Sequence, residues 1–404
     1  PDDALPHLTR AARRRLLAGD FPRAEELIQS RRDALLLLTL SDRDRDFVEQ
    51  RLPEAELARR TARLPRALSK ADEAGQMVRT SNALDLLPAA LHEQASALLA
   101  QGELSAARQA LSEALERATA ANDRELAALC LRGLCEAALR LGRVEESLEH
   151  GRQGVSAAQV AAEPLGIAEA RMRLSESLMA ARELPEALNR LRQARRAFQH
   201  LGARAGLAES LGLMGLLAFR QRAFDRAEQC YLRAGRQLDD LGATAAPLFA
   251  ARRGFALIEM GQLDEAAEVL TETGQRADDR ALSLVMALAD AGLLAVAARQ
   301  GDHDLYRRSV GTAAPLLLAT RFVDLDIARS ATRAAKEGWD QGWSGAAIQA
   351  ARLALSQWDR LGRGESKDAL RLRGLLFGGL VFGSRQLAVV FSHVRMLPRV
   401  PGAK

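Results

Sequence analysis

LLAQGELSAARQALSEAL (Leu98–Leu115) is answered forty residues later by ALRLGRVEESLEHGRQGV (Ala138–Val155). LMAARELPEALNRLRQAR (Leu178–Arg195) and LAFRQRAFDRAEQCYLRAG (Leu217–Gly235) follow in the same rhythm. Each stretch reads as an apolar helix end, a short turn and a second amphipathic helix. Anchoring each turn on one residue gives Gly19, Ala62, Gly102, Gly142, Arg182, Arg222, Gly261, Gly301 and Gly342. The spacings are 43, 40, 40, 40, 40, 39, 40 and 41, too regular for coincidence.

The residue five positions after each anchor tests the period independently. It is Ala24, Ala67, Ala107, Ser147, Ala187, Ala227, Ala266, Tyr306 and Ala347, so seven of nine are alanine. A small side chain there lets the two helices of a hairpin approach closely. Four residues further on a larger group recurs (Ile28, Leu111, Leu191, Tyr231, Leu270, Val310). Three beyond that, alanine usually returns (Ala74, Ala114, Ala194, Ala234, Ala313, Ala354). Offsets of four and seven define one helical face. FQHLG (Phe198–Gly202), LDDLG (Leu238–Gly242) and WDRLG (Trp358–Gly362) close the second helices, with glycine as the left-handed stop. No alternating apolar and polar run bounded by turns occurs, so strands are not expected.

These features resemble the tetratricopeptide repeat. A small residue stands about seven before the anchor, alanine five after it, a bulky residue nine after and alanine twelve after. Leu211 to Ala234 matches best, with Gly215, Ala227, Tyr231 and Ala234 in the pattern's positions. The resemblance spans nine units, about Leu5 to Gly362, and implies an all-α, right-handed superhelical solenoid of about nine helix hairpins with a C-terminal capping helix. It departs from the family in its period, about 40 rather than 34. It also lacks the large aromatic early in the first helix, where Leu131, Arg171, Leu211 or Ala250 stands instead. Longer units of this kind resemble those of bacterial regulators, such as the sensor domain of the maltose activator, and those fused to bacterial protein kinases and signalling ATPases. The expected organisation is a tandem array over residues 5–362 and an apolar-basic capping helix and tail over 363–404.

Composition narrows the function. The 404 residues carry a net charge of +5, which invites a nucleic-acid reading. Residues 360–404 hold nine basic and two acidic groups, so the rest of the chain is nearly neutral. Sixteen aromatics in all, most at packing positions, are too few for base-stacking platforms, and nucleic acid is disfavoured. An anionic contact through residues 364–404 is a subsidiary expectation. The most apolar stretch, Gly374–Val394, is broken by Arg385 and is read as a packing helix rather than a membrane span. Cys130, Cys135 and Cys230 form no C-x-x-C pair, which argues against structural zinc and suits a reducing, cytoplasmic setting. The chain begins at Pro1 rather than Met and is read as a piece of a longer protein, with further domains expected before it.

Six histidines are scattered singly, and no phosphate loop, dinucleotide fingerprint or nucleophile elbow is present. GDHD at Gly301–Asp304 falls in a repeat turn and reads as helix capping. A non-enzymatic protein needing neither metal nor cofactor is expected.

Stacked hairpins present their first helices on a concave surface, and such arrays bind partners there. Counting back from the anchors puts His92, Glu93 and Ser96 on that surface, then Arg132, Glu136, Leu139 and Arg140. Met172, Arg173, Glu176 and Met179 follow, then Leu216, Phe219 and Arg220, then Arg252, Phe255 and Ile258. Adaptable methionine and rigid phenylalanine beside arginine suit a protein or peptide partner carrying acidic groups. The tetratricopeptide lysine/asparagine clamp for a C-terminal carboxylate does not carry over, because repeats three to eight contain no lysine. The leading expectation is a protein-interaction scaffold, the sensor or recruitment module of a bacterial signalling protein. The alternative is a ligand- or peptide-gated domain controlling an attached kinase, ATPase or transcription factor, with an envelope-assembly scaffold ranked below both.

Overall fold

The computed structural model describes residues 4–37, 43–81 and 83–376. Among the described residues it contains eighteen α-helices up to Arg360, a further helical stretch at 367–376, one 3-10 turn at Leu84–Leu86 and no strand. The helices pair in chain order into nine hairpins. The first four are α1 (Ala4–Ala18) with α2 (Phe21–Leu37), α3 (Arg43–Arg60) with α4 (Leu64–Thr80), α5 (Leu87–Gln101) with α6 (Leu104–Ala120), and α7 (Arg124–Arg140) with α8 (Val144–Val160). The middle of the array is α9 (Pro164–Ala180) with α10 (Leu184–His200), and α11 (Arg204–Arg220) with α12 (Phe224–Asp240). It ends with α13 (Ala246–Met260) and α14 (Leu263–Asp278), α15 (Ser283–Gln300) and α16 (His303–Thr320), and α17 (Leu325–Asp340) and α18 (Ser344–Arg360).

All nine anchors adopt positive φ, from 57° at Ala62 to 92° at Gly102. In every one of these turns the next residue's N–H returns to the carbonyl five back, as in Asp20 to Arg15 (2.9 Å), Arg143 to Ala138 (2.9 Å) and Trp343 to Gly338 (2.8 Å). That pair of features is the left-handed helix stop, which satisfies carbonyls the helix end would otherwise orphan. Ala62, Arg182 and Arg222 hold this conformation without glycine, at about 1–2 kcal/mol each. The device recurs after the second helices at Asn122, Gly202, Gly242, Ala281 and Gly362, while Ala162 and Arg321 share the positive φ.

The residue five after each anchor is at most 1% exposed in all nine hairpins. The bulky residue four further on slots against glycines on the first helices. A Cβ added to Gly133 would meet the Leu111 methyls at 2.9 Å, and one on Gly254 would meet Leu270 at 2.5 Å. Both exceptions to alanine are accommodated locally. Ser147 donates to the Cys135 carbonyl (2.7 Å) and lies 2.7 Å from Ser177 Oγ, while Tyr306 donates to the Ala334 carbonyl (2.9 Å) over the bare Cα of Gly338.

The superhelix closes on itself after five hairpins. The Gly19 turn of the first hairpin lies against Ala205 at the start of the sixth, where an added Cβ would stand 3.2 Å from the Ala205 Cβ. Thr244, entering the seventh, donates from its backbone to the Arg60 carbonyl (3.0 Å) and accepts from the Ala62 N–H through its hydroxyl (2.7 Å). Gly102 of the third packs on Leu284 of the eighth. Val323, entering the ninth, donates to the Arg140 carbonyl (2.8 Å), and Gly142 sits on the Arg360 carbonyl. The turns of the first four hairpins are thus each seated on the hairpin five ahead. This seam narrows the groove into a cavity that stays partly open to solvent.

Ser283–Gln300 is long and apolar enough to cross a membrane by composition, but the array buries most of it as the packed helix α15. Residues 367–376 are helical, and Ala369 and Leu372 are buried in the main core. The rest of the expected capping segment and tail, 377–404, lies outside the described residues.

Candidate functional site

The first helices of the hairpins and the seam bound a cavity of about 390 Å³. That volume falls in the range of small-ligand sites. Its apolar wall includes Leu99, Met172, Met179, Leu213, Leu216, Phe249 and Leu288. Eleven of the fourteen concave-surface residues expected from sequence in repeats four to seven line it: Arg132, Glu136, Leu139, Arg140, Met172, Arg173, Glu176, Met179, Leu216, Arg220 and Arg252. Phe219, Phe255 and Ile258 do not. Phe219 makes an edge-on contact with Phe224 (5.4 Å between centroids), while Phe255 and Ile258 are each 3% exposed in hydrophobic clusters. On a helix a shift of one position turns a side chain by about 100°, enough to move these three from cavity to core. His92 and Ser96 line the cavity as well, and His92 Nδ1 lies 3.2 Å from the Glu93 carboxylate.

Two ionic clusters organise the wall. The first crosses α7, α9 and α11. Arg132 pairs with Glu169, and Arg140 with Glu136. Arg173 reaches Glu176 at 2.6 Å, Glu209 at 3.3 Å and Glu136 at 3.7 Å. Burial pushes the Glu136 carboxyl up, but Arg140, Arg173 and Arg132 outweigh it and hold it at about 2. Glu176 moves the opposite way, raised by burial and by the Glu136 charge, although Arg173 opposes both. The two carboxylates share one guanidinium, and Glu136, with a second arginine of its own, keeps its charge more firmly. Burial, followed by the neighbouring Arg60, Arg173 and Arg59, lowers Arg132 to about 10, still protonated at neutral pH.

The second cluster joins α11, α13 and the start of α17. Arg220 grips Asp326 with both nitrogens, one at 3.1 Å, and Arg252 reaches Asp326 at 2.6 Å and Asp324 at 2.5 Å. Asp324 also caps α17, accepting from the Asp326 N–H at 2.8 Å. Asp326 is 2% exposed at its side chain, and its pKa is lowered because Arg220 and Arg252 outweigh the burial that would raise it.

Sequence reading named Glu136 and Glu176 but missed Glu169 and Glu209 of the first cluster and both aspartates of the second. Glu169 and Glu209 are forty apart and hold equivalent places before their anchors, so the period itself was a usable signal. Asp324 and Asp326 offered none, since they meet Arg220 and Arg252 only where the superhelix brings the ninth hairpin beside the sixth and seventh. Among the described residues no group of three or more His, Cys, Asp or Glu is placed to hold a metal ion, and all three cysteines are free.

The Glu136 network gives an acid-stability signature. A glutamate held at about 2 when folded and about 4.3 when unfolded contributes stability that is complete above the unfolded value and lost as pH falls toward 2. Glu136→Gln is expected to cost on the order of 2 kcal/mol at neutral pH and to flatten the stability curve between pH 4.5 and 2. Urea titrations across that window measure it.

The fold is a tetratricopeptide-like helical-repeat array wound into a closed superhelix. Solved structures share it at low sequence identity. One is a Rap protein complexed with Competence and Sporulation Factor, at a TM-score of 0.65 and 14% identity, covering 90% of this chain and 99% of that one. NprR in complex with its cognate peptide NprX matches at 0.56 and 12%, covering 93% and 99%. The Rap conjugation gene regulator of the plasmid pLS20, in complex with the Phr* peptide, matches at 0.53 and 11%, covering 89% and 97%. No family model and no curated sequence matches the chain.

Proposed function

We propose that this chain is a non-catalytic, peptide-responsive interaction module of bacterial signalling that takes a short peptide segment into its central cavity. The observation that carries this reading is the partly open central cavity of about 390 Å³, whose apolar patches alternate with ion pairs fixed on neighbouring helices. Fixed pairs suit recognition, because their side chains are ordered before the ligand arrives. The fold's appearance in NprR in complex with NprX and in the Rap conjugation gene regulator in complex with the Phr* peptide supports the same reading. A cytoplasmic setting suits its free cysteines.

A regulatory form of this function is favoured by the seam. A ligand touching both the first helices and the entries to hairpins seven to nine would tighten turns held together by a handful of backbone contacts. It would thereby shift the population toward the closed superhelix. An attached domain would sense that shift.

Leu216 tests the site without altering any charge. Its side chain is half-buried on the cavity wall, so Leu216→Trp fills the space. Retention of random hexapeptide pools is expected to fall tenfold or more in the variant, with the melting temperature nearly unchanged. Equal retention by wild type and variant would remove the cavity from the function.

A further inference from the structure

The outer side of the array carries a charge pattern that the cavity does not use. Buried positions recur along the second helices, as Ala187, Leu191, Ala194 and Phe198 on α10 and Ala227, Tyr231, Ala234 and Leu238 on α12. Residues one place after these share one flank of the helix, and residues one place before share the other. Two ion pairs show which flanks meet. Arg108, one after Ala107 on α6, lies 3.4 Å from Glu146, one before Ser147 on α8. Asp239, one after Leu238 on α12, pairs with Arg276, one before Ala277 on α14. The flank after the core of one second helix therefore faces the flank before the core of the next.

The equivalent furrow between α10 and α12 holds no such pair. Its α10 bank carries Arg192 and Arg195, its α12 bank carries Arg226 and Arg233 with Cys230 between them, and neither bank carries an acid. Arg192, Arg226 and Arg233 are exposed, while Arg195 is half-buried with its Nη1 buried and without a hydrogen-bond partner. Neighbouring acids are committed elsewhere: Glu186 to Arg190, Glu228 to Arg253 and Asp239 to Arg276. Burial raises the Cys230 thiol pKa, and Arg226, Arg233 and Arg195 oppose the rise, in keeping with their places around it. The three acidic side chains outside the described residues, Asp2, Asp3 and Asp42, precede α1 and α3. Both helices meet hairpins six and seven through their C-terminal turns at Gly19 and Ala62. These acids therefore stand a helix length from that contact, about 22 Å for α1 and about 27 Å for α3.

Guanidiniums gathered without a carboxylate are complementary to anions brought from outside, and each gains a charge-assisted hydrogen bond from one. The fitting anion is short. On one side α8 bears three glutamates, and on the other α14 bears five acids, so a phosphate backbone running past the furrow meets negative charge. Neither bank offers an aromatic ring for a base to stack on. A protein segment with several acidic side chains fits the furrow's length of about 25 Å.

We infer that the furrow between α10 and α12 is a docking surface for an acidic segment of a partner protein, with Arg192, Arg195, Arg226 and Arg233 receiving its carboxylates. None of these residues lines the cavity, and the inference does not rest on the peptide-binding reading.

Cys230 reports occupancy, because Cys130 and Cys135 are buried and it alone is half-exposed. Fluorescein-labelled octaglutamate is titrated into wild type, Arg192→Gln/Arg233→Gln and the charge-preserving Arg192→Lys/Arg233→Lys. Both substituted side chains are exposed, so the fold tolerates the changes. Wild type and the lysine variant are expected to bind within threefold of each other, and the glutamine variant at least tenfold more weakly. Saturating octaglutamate should also slow alkylation of wild-type Cys230 by iodoacetamide threefold or more. No binding to wild type, equal binding by all three proteins, or unchanged Cys230 alkylation in the bound protein overturns the surface. A single-stranded octanucleotide that binds more tightly than octaglutamate and protects Cys230 overturns the protein partner and assigns the furrow to nucleic acid.

Discussion

Asp326→Ala is expected to destabilise the protein by about 3–5 kcal/mol, because it leaves Arg220 desolvated with no carboxylate in reach. Asp326 is shared, binding Arg220 of the sixth hairpin and Arg252 of the seventh from its own place at the start of the ninth. Arg252 retains Asp324 after the change, so the damage concentrates on Arg220. Removing one partner of a buried pair differs from replacing the pair. Arg220→Met with Asp326→Leu supplies apolar volume on both sides and is expected to recover most of the loss. Urea unfolding of the single and double variants measures the difference. A single-variant loss below about 1 kcal/mol would mean that water reaches Arg220 and that the cluster does not tie the ninth hairpin to the sixth. Because repeat arrays unfold in pieces, hydrogen exchange on α17 should report the loss before the rest of the array responds.

The sequence and the structure agree where contacts are local. Each anchor is a helix stop whose geometry depends on a few neighbouring residues, and the alanine five after it reports contact within one hairpin. Such contacts recur every forty residues, so periodicity reveals them even where Ala62, Arg182 or Arg222 replaces glycine. The cavity's basic side was legible for the same reason, since Arg173 and Arg252 sit nine before their anchors. Phe219, Phe255 and Ile258 mark the limit of that reasoning. The period fixes a residue's place in its repeat, but the small rotation between hairpins decides whether an apolar side chain meets the cavity or the next helix. Asp326 lies 106 residues from Arg220, and their meeting depends on how far the superhelix turns per hairpin. No pattern within one repeat encodes that angle.

The seam is the structural consequence of that angle, and Gly142→Val tests it directly. Gly142 has φ of 78°, and a Cβ there would stand 2.6 Å from the Arg360 carbonyl oxygen and 3.3 Å from a Val323 methyl. Backbone cannot give way as a flexible side chain can, so the fourth hairpin's turn must part from the ninth hairpin. Gly342 supplies the control, because its φ is 82° in the same kind of turn with nothing within 4 Å of an added Cβ. Gly342→Val therefore carries the left-handed strain alone, about 1–2 kcal/mol. Gly142→Val is expected to cost about 2 kcal/mol more, in the range for overpacking. The Val323 amide, which donates to the Arg140 carbonyl, should exchange far faster in Gly142→Val and unchanged in Gly342→Val. If closure of the superhelix also retains the ligand, captured peptides should dissociate faster from Gly142→Val than from Gly342→Val. Equal dissociation from both would make the seam a feature of stability alone. Faster release would make it the element through which an occupied cavity is felt at the far end of the array, since parting Gly142 from Arg360 opens the wall beside Arg363 and loosens α18 together.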